Sequence, residues 1–233
     1  LRTRSREAGE GQEGLLHIGL GSGPGAMLMT PLLQKVAQER PRLRLEVSRG
    51  STELLAQALR SRQLDALVVD VRSLRPAPDL HTQSLHTMTG AFMVRRGHPL
   101  ARRKGPLRFE DLLGYPVAST PLSDEVARVL VERYGPQAHP DACVSLRCED
   151  IPSLVDVARH SDAVLLAIRA AAPDLVELPL QPALGATARF GLVTLRRRTE
   201  PPALVLVREL MEQLLRDPLK AGAGTRARGR LPG

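Results

Sequence analysis

The sequence contains few aromatic residues and few cysteines. Phe, Tyr and Trp together make up 2% of the 233 residues, with no Trp, so the core must be built mainly from Leu, Val, Ile and Ala. This composition disfavours proteins that stack aromatic rings on the bases of RNA or single-stranded DNA. Two cysteines are too few for a disulfide framework. The apolar runs are far shorter than the ~20 residues of a membrane helix, and no signal segment opens the chain, so we expect a cytoplasmic protein without a membrane partner.

The excess of positive charge is large but scattered. The formal net charge is +8. Residues 1–13 alternate Arg and Glu around glycines without apolar periodicity, and are predicted to be a linker remnant. Outside the C-terminal stretch the excess is spread thinly, whereas a nucleic-acid interface needs it focused on one face, so we interpret it as solvated surface. A flexible basic tail is predicted at 218–233, where four basic residues lie among glycines without acids: Lys220, Arg226, Arg228 and Arg230.

Strand and helix patterns alternate through the first part of the chain. Strands are predicted at 15–20, 43–47 and 66–69, and helices at 27–36 and 52–59. The first helix has two alternative starts, after the glycine-rich turn at 21–25 or at Thr30-Pro31. A β-α-β-α-β order implies right-handed crossovers and a parallel sheet. The predicted buried stripe of the second helix consists of Leu54, Leu55, Ala58 and Leu59.

The alternation restarts after an extended segment. That segment, 85–94, and a late strand at 189–195 are each predicted to cross between two lobes, and two crossings make a hinge. The predicted fold is therefore α/β, with two Rossmann-like lobes joined by two crossover strands. Lobe one comprises 14–88 plus 193–217, and lobe two comprises 89–192. Within lobe two, helices are predicted at 109–113, 123–134 and from 150, and strands at 115–119, 144–147 and 163–168.

Seven short phrases follow one another along the chain. They are Gly14-Leu15-Leu16-His17-Ile18-Gly19, Pro31-Leu32-Leu33 through Pro41, Leu64-Asp65-Ala66, His98-Pro99-Leu100-Ala101, Asp111-Leu112, Asp150-Ile151 and Pro202-Ala203. In these phrases and their order, over residues 14–216, the sequence resembles the effector-binding domain of LysR-type transcriptional regulators. That domain has a fold similar to the type 2 periplasmic binding proteins.

The resemblance implies a sensor that binds a small-molecule effector and controls transcription as a homodimer or tetramer. Regulators of this kind carry a helix-turn-helix and a linker helix, and neither pattern occurs in these residues. DNA would therefore be contacted only through a helix-turn-helix domain missing from this chain. Apolar helix faces at 32–36 and 126–130 are candidates for dimerisation, with core packing as the alternative. One departure from the family is His160-Ser161-Asp162-Ala163, where a Gly-x-Gly turn is common, so a difference is expected at the cleft wall.

Four strand-to-helix turns carry small polar residues. Ligands of parallel α/β sheets bind at the carboxyl ends of strands, where the following helices present unpaired N–H groups. We therefore predict that the cleft binds a small anion such as a carboxylate. Each hydroxyl residue has the alternative of only capping its helix, and capping is favoured for the acid Asp150. The predicted contacts are Ser22, Gly23, Ser51 and Thr52 from lobe one, and Ser119, Thr120, Asp150, Ile151, Ile168 and Arg169 from lobe two.

Two other functions remain open. The stretch at 21–26 matches the Gly-x-Gly-x-x-Ala fingerprint of a dinucleotide-binding, NAD(P)-dependent enzyme. Against it, the acid expected ~20 residues on would be Glu46, inside a strand, and Pro24 removes a backbone donor. A solute-binding protein would share the fold but needs a signal segment. The six histidines are scattered, and Cys143 and Cys148 are interpreted as structural thiols, so no metal, cofactor or catalytic residue is predicted.

Overall fold

Strands and helices alternate in the order that the sequence predicts. The computed structural model describes residues 14–217, so the predicted linker at 1–13 and the predicted basic tail at 218–233 lie outside the described residues. The first five elements are β1 (Leu15–Leu20), α1 (Ser22–Glu39), β2 (Arg44–Arg49), α2 (Thr52–Arg60) and β3 (Ala66–Asp70). Strand β1 pairs in parallel with β2 on one side and with β3 on the other, which confirms the predicted parallel unit.

Helix α1 starts at the first of its two predicted positions. It begins at Ser22, directly after β1, and Pro31 lies inside it. Pro24 falls in the first turn, where a missing N–H is harmless. The sequence places Met27, Leu28, Leu32, Leu33 and Val36 on one apolar face of α1. Leu28, Leu32 and Val36 are buried as predicted, whereas Leu33 is 47% exposed.

The predicted stripe of α2 was wrong at one position. Leu54 is 63% exposed, whereas Ala56 is only 3% exposed and takes its place beside Leu55 and Leu59. The buried face of α2 is therefore rotated toward Ala56 and packs against Leu67 and Val69 of β3.

One long strand is shared by the two parts of the molecule. Strand β4 (Leu80–Val94) pairs with β9 (Thr187–Leu195) as far as Thr89, and with β7 (Val164–Ile168) from Gly90 onward. These two strands, β4 and β9, are the two crossover strands predicted from the sequence, and β4 begins five residues earlier than predicted. We call β1–β3, α1, α2, β9 and the part of β4 up to Thr89 the first half. The second half is the chain from Gly90 to the start of β9.

The second half is inserted between β4 and β9. It contains α3 (Pro99–Arg102), β5 (Val117–Ser119), α4 (Asp124–Tyr134), α5 (Pro140–Cys143), β6 (Val144–Arg147), α6 (Ile151–His160), β7 and β8 (Val176–Glu177). The last helix, α7 (Leu204–Leu214), returns to the first half and packs against α1. The strand order is β2-β1-β3-β9-β4-β7-β5-β6, with β8 also on β4.

Helices cover both faces of this sheet, and each half has its own core. Aliphatic side chains dominate the first half, as the composition predicts, with Phe190 as its aromatic member. The second half differs, because Phe92, Phe109 and Tyr134 form one aromatic cluster. The rings of Phe109 and Tyr134 stack with centroids 5.0 Å apart. The α/β class and the periplasmic-binding-protein arrangement are confirmed, whereas the predicted lobe boundaries at 88/89 and 192/193 stay a prediction.

The turn before β7 is closed without glycine. The Ser161 hydroxyl accepts the N–H of Ala163 at 3.1 Å and donates to the Val157 carbonyl at 2.6 Å. The backbone carbonyl of Asp162 lies 3.1 Å from Nε2 of the fully buried His98. Side-chain hydrogen bonds thus replace the glycine turn and tie it to the start of α3.

Candidate functional site

A cavity of about 580 Å³ lies between the two halves, where four helices begin. Its wall includes the first residues of α1, α2, α4 and α6 together with side chains of β7 and β9. Each helix start contributes backbone N–H groups and the positive end of a helix dipole. The cavity is therefore an environment in which a bound anion is stabilised from several directions.

The start of α1 is open toward the cavity. Its N-cap, Gly21, has no side chain to bind the N–H groups of the first turn. Ser22, Gly23 and Pro24 all line the cavity. Gly23 packs directly against the ring of Phe190, because a Cβ at this position would lie 2.9 Å from Cε1 and closer still to Cζ. Glycine is thus needed here for the close approach of α1 to β9.

The start of α2 contributes two adjacent hydroxyl groups with different duties. The Ser51 hydroxyl caps the helix by accepting the N–H of Leu54 at 3.4 Å. Thr52 also lines the cavity and is half-buried, and within residues 14–217 no hydrogen bond of its side chain is seen. The Thr52 hydroxyl is therefore the freer of the two to bind a ligand.

The second half supplies a mixed polar and apolar wall. Thr120 and Ser123 precede α4, and Ile151 is the first residue of α6. Ser123 caps α4 by accepting the N–H of Val126 at 3.4 Å. Further apolar wall residues are Leu122, Val126, Leu166, Ile168, Ala186 and Phe190.

Of the ten predicted contacts, seven lie together in this lining: Ser22, Gly23, Ser51, Thr52, Thr120, Ile151 and Ile168. The other three do not. Ser119 is completely buried, and its hydroxyl donates to the Leu166 carbonyl at 2.9 Å. Arg169 points away and donates to the carbonyls of Ala172 and Leu175 at 2.8 and 3.3 Å. Asp150 caps α6, as its alternative interpretation expects. Ligand contact by any of the ten stays a prediction.

Three side-chain contacts span the mouth of the cavity from half to half, and the sequence did not reveal them. The Arg49 guanidinium, at the end of β2, binds the Asp150 carboxylate and donates to the Glu149 carbonyl at 3.2 Å. Ser22 donates to the Glu149 carboxylate. At another edge of the cavity, Arg72 lies 3.3 Å from Glu125 of α4.

The pKa of two carboxyl groups reflects this arrangement. Hydrogen bonds from Ser153 and then from Arg49 hold the pKa of Asp150 below its usual range. Asp70, at the end of β3, also lines the cavity, and burial raises the pKa of its carboxyl group. The Asp70 carboxylate accepts the backbone N–H groups of Arg72 at 3.1 Å and Arg189 at 3.2 Å. Asp70 therefore stabilises the end of β3 by binding these backbone N–H groups.

The structure bears on the predicted thiols and on a metal site only within residues 14–217. Cys143 is buried and Cys148 is exposed, and the two do not form a disulfide. Among these residues, no group of three or more His, Cys, Asp or Glu could hold a metal ion. None of the helices described is long and apolar enough to cross a membrane.

Comparison with known proteins identifies what the chain is similar to. The family model described as the LysR substrate binding domain matches residues 9–216. The SDS degradation transcriptional activation protein of Pseudomonas sp. (strain ATCC 19151) is 32% identical over 206 residues, covering 85% of this chain and 66% of that protein. The chain thus spans slightly less than two thirds of that relative's length.

Two solved structures show the same fold. One is the C-terminal domain of a probable LysR family transcriptional regulator from Rhodococcus sp. RHA1, with a TM-score of 0.62, 20% identity and coverage of 85% of this chain and 98% of that one. The other is the effector binding domain of QuiR in complex with shikimate, with a TM-score of 0.58, 16% identity and coverage of 84% and 94%. At these identities the likeness establishes the fold alone.

Proposed function

Since the chain belongs to the family of LysR substrate-binding domains, we propose that it is the effector-sensing part of a transcriptional regulator. It binds a small anionic molecule in the cavity between its halves and acts on DNA through a helix-turn-helix domain outside these residues. Closure of the halves around the effector changes the geometry of a homodimer or tetramer. The effector can bias this change only as far as it prefers one arrangement over the other. We place this activity in the cytoplasm and assign the chain no enzymatic step.

One observation carries the proposal: the starts of four helices from both halves meet at a single cavity. The N–H groups and dipoles at helix starts favour an anionic group, and a ligand that touches both halves couples binding to their relative position. Four acids are also part of this lining. Asp70 and Glu149 accept hydrogen bonds from the chain itself. Glu53 and Asp124 occupy the first turns of α2 and α4, where a negative charge is itself stabilised by the helix.

The wall suggests that the effector is amphipathic. Beyond the polar helix starts, the lining continues as the apolar side chains Leu122, Val126, Leu166, Ile168 and Phe190. A compound with an anionic head and a short hydrocarbon part would match both regions. The relative named for SDS degradation is consistent with this class, because SDS is an anionic amphiphile.

The nicotinamide-dependent enzyme is less well supported. Glu46, the acid that a dinucleotide fold would need, lies within β2 and its carboxylate is 3.3 Å from the ring of His17. Arg49, the other group that could bind a phosphate, is paired with Asp150. Of the predicted dimer faces, Leu32, Val36 and Leu130 are buried in the chain's own core, whereas Leu33 is 47% exposed.

Thermal unfolding in the presence of six-carbon probes tests the proposal. We expect hexanoate and hexyl sulfate to raise the Tm, and hexylamine and hexanol to raise it much less. At a hundredfold excess over Kd the stabilisation is about 2.7 kcal/mol, or about 5 to 10 °C for a chain of this size.

The variant Thr52→Leu removes the Thr52 hydroxyl and places a larger side chain at the start of α2 without removing the Ser51 cap, so it should abolish the shift while the unliganded Tm is kept. Thr87→Leu, on the exposed face of β4 and outside the cavity lining, is the matched control and should respond like the parent chain. An equal response of Thr52→Leu and the parent chain would remove this cavity as the binding site.

A further inference from the structure

Glu149 places a carboxylate of the protein itself at the start of α1. Its side chain accepts a hydrogen bond from the hydroxyl of Ser22, the first residue of that helix, and Glu149 lines the cavity. The two residues are 127 positions apart in sequence and belong to opposite halves. A negatively charged oxygen of the chain therefore already binds the Ser22 hydroxyl, one of the groups that would bind the head of an anionic effector.

The segment that carries Glu149 is held in place from both sides. Arg49 donates to the carbonyl of Glu149 at 3.2 Å and also binds the carboxylate of Asp150. Asp150 in turn accepts the N–H of Ser153 at 3.0 Å, and its own N–H donates to the sulfur of Cys148 at 3.4 Å. These contacts fix the backbone next to Glu149. Its carboxylate therefore has a high effective concentration near Ser22, which favours the hydrogen bond across the cleft.

Packing behind the contact keeps α1 and α6 close. Ala26, in the second turn of α1, packs against the apolar cluster that contains Ile151, Leu154 and Val155 of α6. The Glu149 side chain is itself exposed, so water and a competing anion can reach it. A competing anion can consequently replace the Glu149 carboxylate at Ser22, while the neighbouring backbone and helices are held by their own contacts.

We infer that Glu149 is a built-in competitor for the effector's anionic head, which must displace its carboxylate from Ser22 to bind. This inference rests on the proposed function and adds a regulation of the same site. Displacement breaks one cross-cleft contact and replaces it with contacts to the effector, so binding and the relative position of the halves are coupled. The competitor also raises the effector concentration at which the domain responds.

Affinity measurements on matched variants test the inference. Glu149→Gln keeps the size of the side chain but removes its charge, and Glu149→Ala removes the group. Glu132→Gln makes the same charge change on the outer face of α4, where the Glu132 side chain is 66% exposed and pairs with Arg128. Calorimetric titration of each with hexyl sulfate, a short alkyl sulfate that stays monomeric at millimolar concentration, gives the Kd.

We expect Glu149→Ala to bind hexyl sulfate about tenfold more tightly than the parent chain, as when about nine-tenths of the molecules hold the internal contact. Glu149→Gln should gain affinity but less of it, because its amide oxygen can still accept from the Ser22 hydroxyl. Glu132→Gln should bind like the parent, and adding Thr52→Leu should abolish the gain. Binding detected only after Glu149 is replaced would be the strong form of this result. Equal affinity of the parent and both Glu149 variants, with binding still lost in Thr52→Leu, would overturn the inference and leave the proposed function intact.

A measurement without ligand decides whether the contact exists. In a double-mutant cycle of Ser22→Ala and Glu149→Ala, the Tm changes should be non-additive, because either substitution alone removes the shared hydrogen bond. Additive changes would overturn the inference whatever any probe does. If the cycle is non-additive but no variant binds any of the six-carbon anions, the proposed function fails, and the inference about the effector falls with it.

Discussion

The substitution Gly23→Ala tests how closely α1 must approach β9. Gly23 lies in the first turn of α1, and a Cβ added there would stand 2.9 Å from Cε1 of Phe190 and nearer to Cζ. Real Cβ atoms essentially never come that close to a carbon, so the ring or the helix must move. Phe190 is 2% exposed and is enclosed by the core of the first half, which leaves the ring little space.

The expected loss follows from two opposing terms. Overpacking a filled core costs about 1 to 3 kcal/mol, and the better helix propensity of alanine returns up to about 1 kcal/mol. The net loss is about 1 to 2 kcal/mol, which corresponds to about 2 to 8 °C in Tm for a domain of this size. Gly114→Ala is the control, since a Cβ at Gly114 meets no atom of residues 14–217 within 4 Å, and its Tm should stay within about 1 °C of the parent.

Shortening the ring should relieve the clash. Phe190→Leu alone is destabilising because it leaves a cavity. In the double variant Gly23→Ala with Phe190→Leu, the alanine methyl group occupies part of that space. The double variant should therefore lose less unfolding free energy than the sum of the two single-variant losses, by at least about 1 kcal/mol. Chemical denaturation of all four proteins measures this difference. Strictly additive losses would show that Gly23 and Phe190 do not touch, and the packing described for α1 would be refuted.

Two further predictions concern charged contacts of the first half and of the cleft. Arg198→Ala should destabilise the chain by about 1 to 3 kcal/mol, because Asp65 is 8% exposed and loses a partner at 2.6 Å; an unchanged denaturation midpoint would contradict this. Asp150→Asn should remove the stability that comes from the lowered pKa of Asp150, a term present above pH about 4 and lost as pH falls through the native pKa. The difference in unfolding free energy between the parent and Asp150→Asn should therefore shrink on acidification, and a difference independent of pH between 3 and about 7 would rule that origin out.

The strands and helices could be predicted from the sequence because burial imposes a period on each. The stripe of α1 and the continuous apolar run of β3 required no knowledge of distant residues. Leu54 shows the limit of this reasoning, since in a helix of nine residues the spacing of apolar side chains is compatible with two adjacent buried faces. Only the position of α2 against the sheet decides that Ala56, and not Leu54, is buried.

The candidate site could be predicted in part, because the sequence marks where each helix begins. Helix starts at strand ends are set by local sequence, and the sheet order brings them together, so Thr52 and Thr120 line one cavity. Ser119 was misplaced by a single step, because as the last residue of β5 it faces inward to the Leu166 carbonyl. Arg49 and Asp150 are 101 positions apart on exposed turns, and no periodic pattern marks such a pair.

The insertion of one half within the other has a consequence for the nascent polypeptide. Strand β9 lies between β3 and β4 in the sheet, yet it is made after the whole second half has been synthesised. A ribosome therefore releases β1 to β3 with one sheet edge bare, and that edge stays open to wrong partners until about residue 195 emerges. The inserted half can fold first, and the earliest-made strands must wait for the last one to complete their sheet.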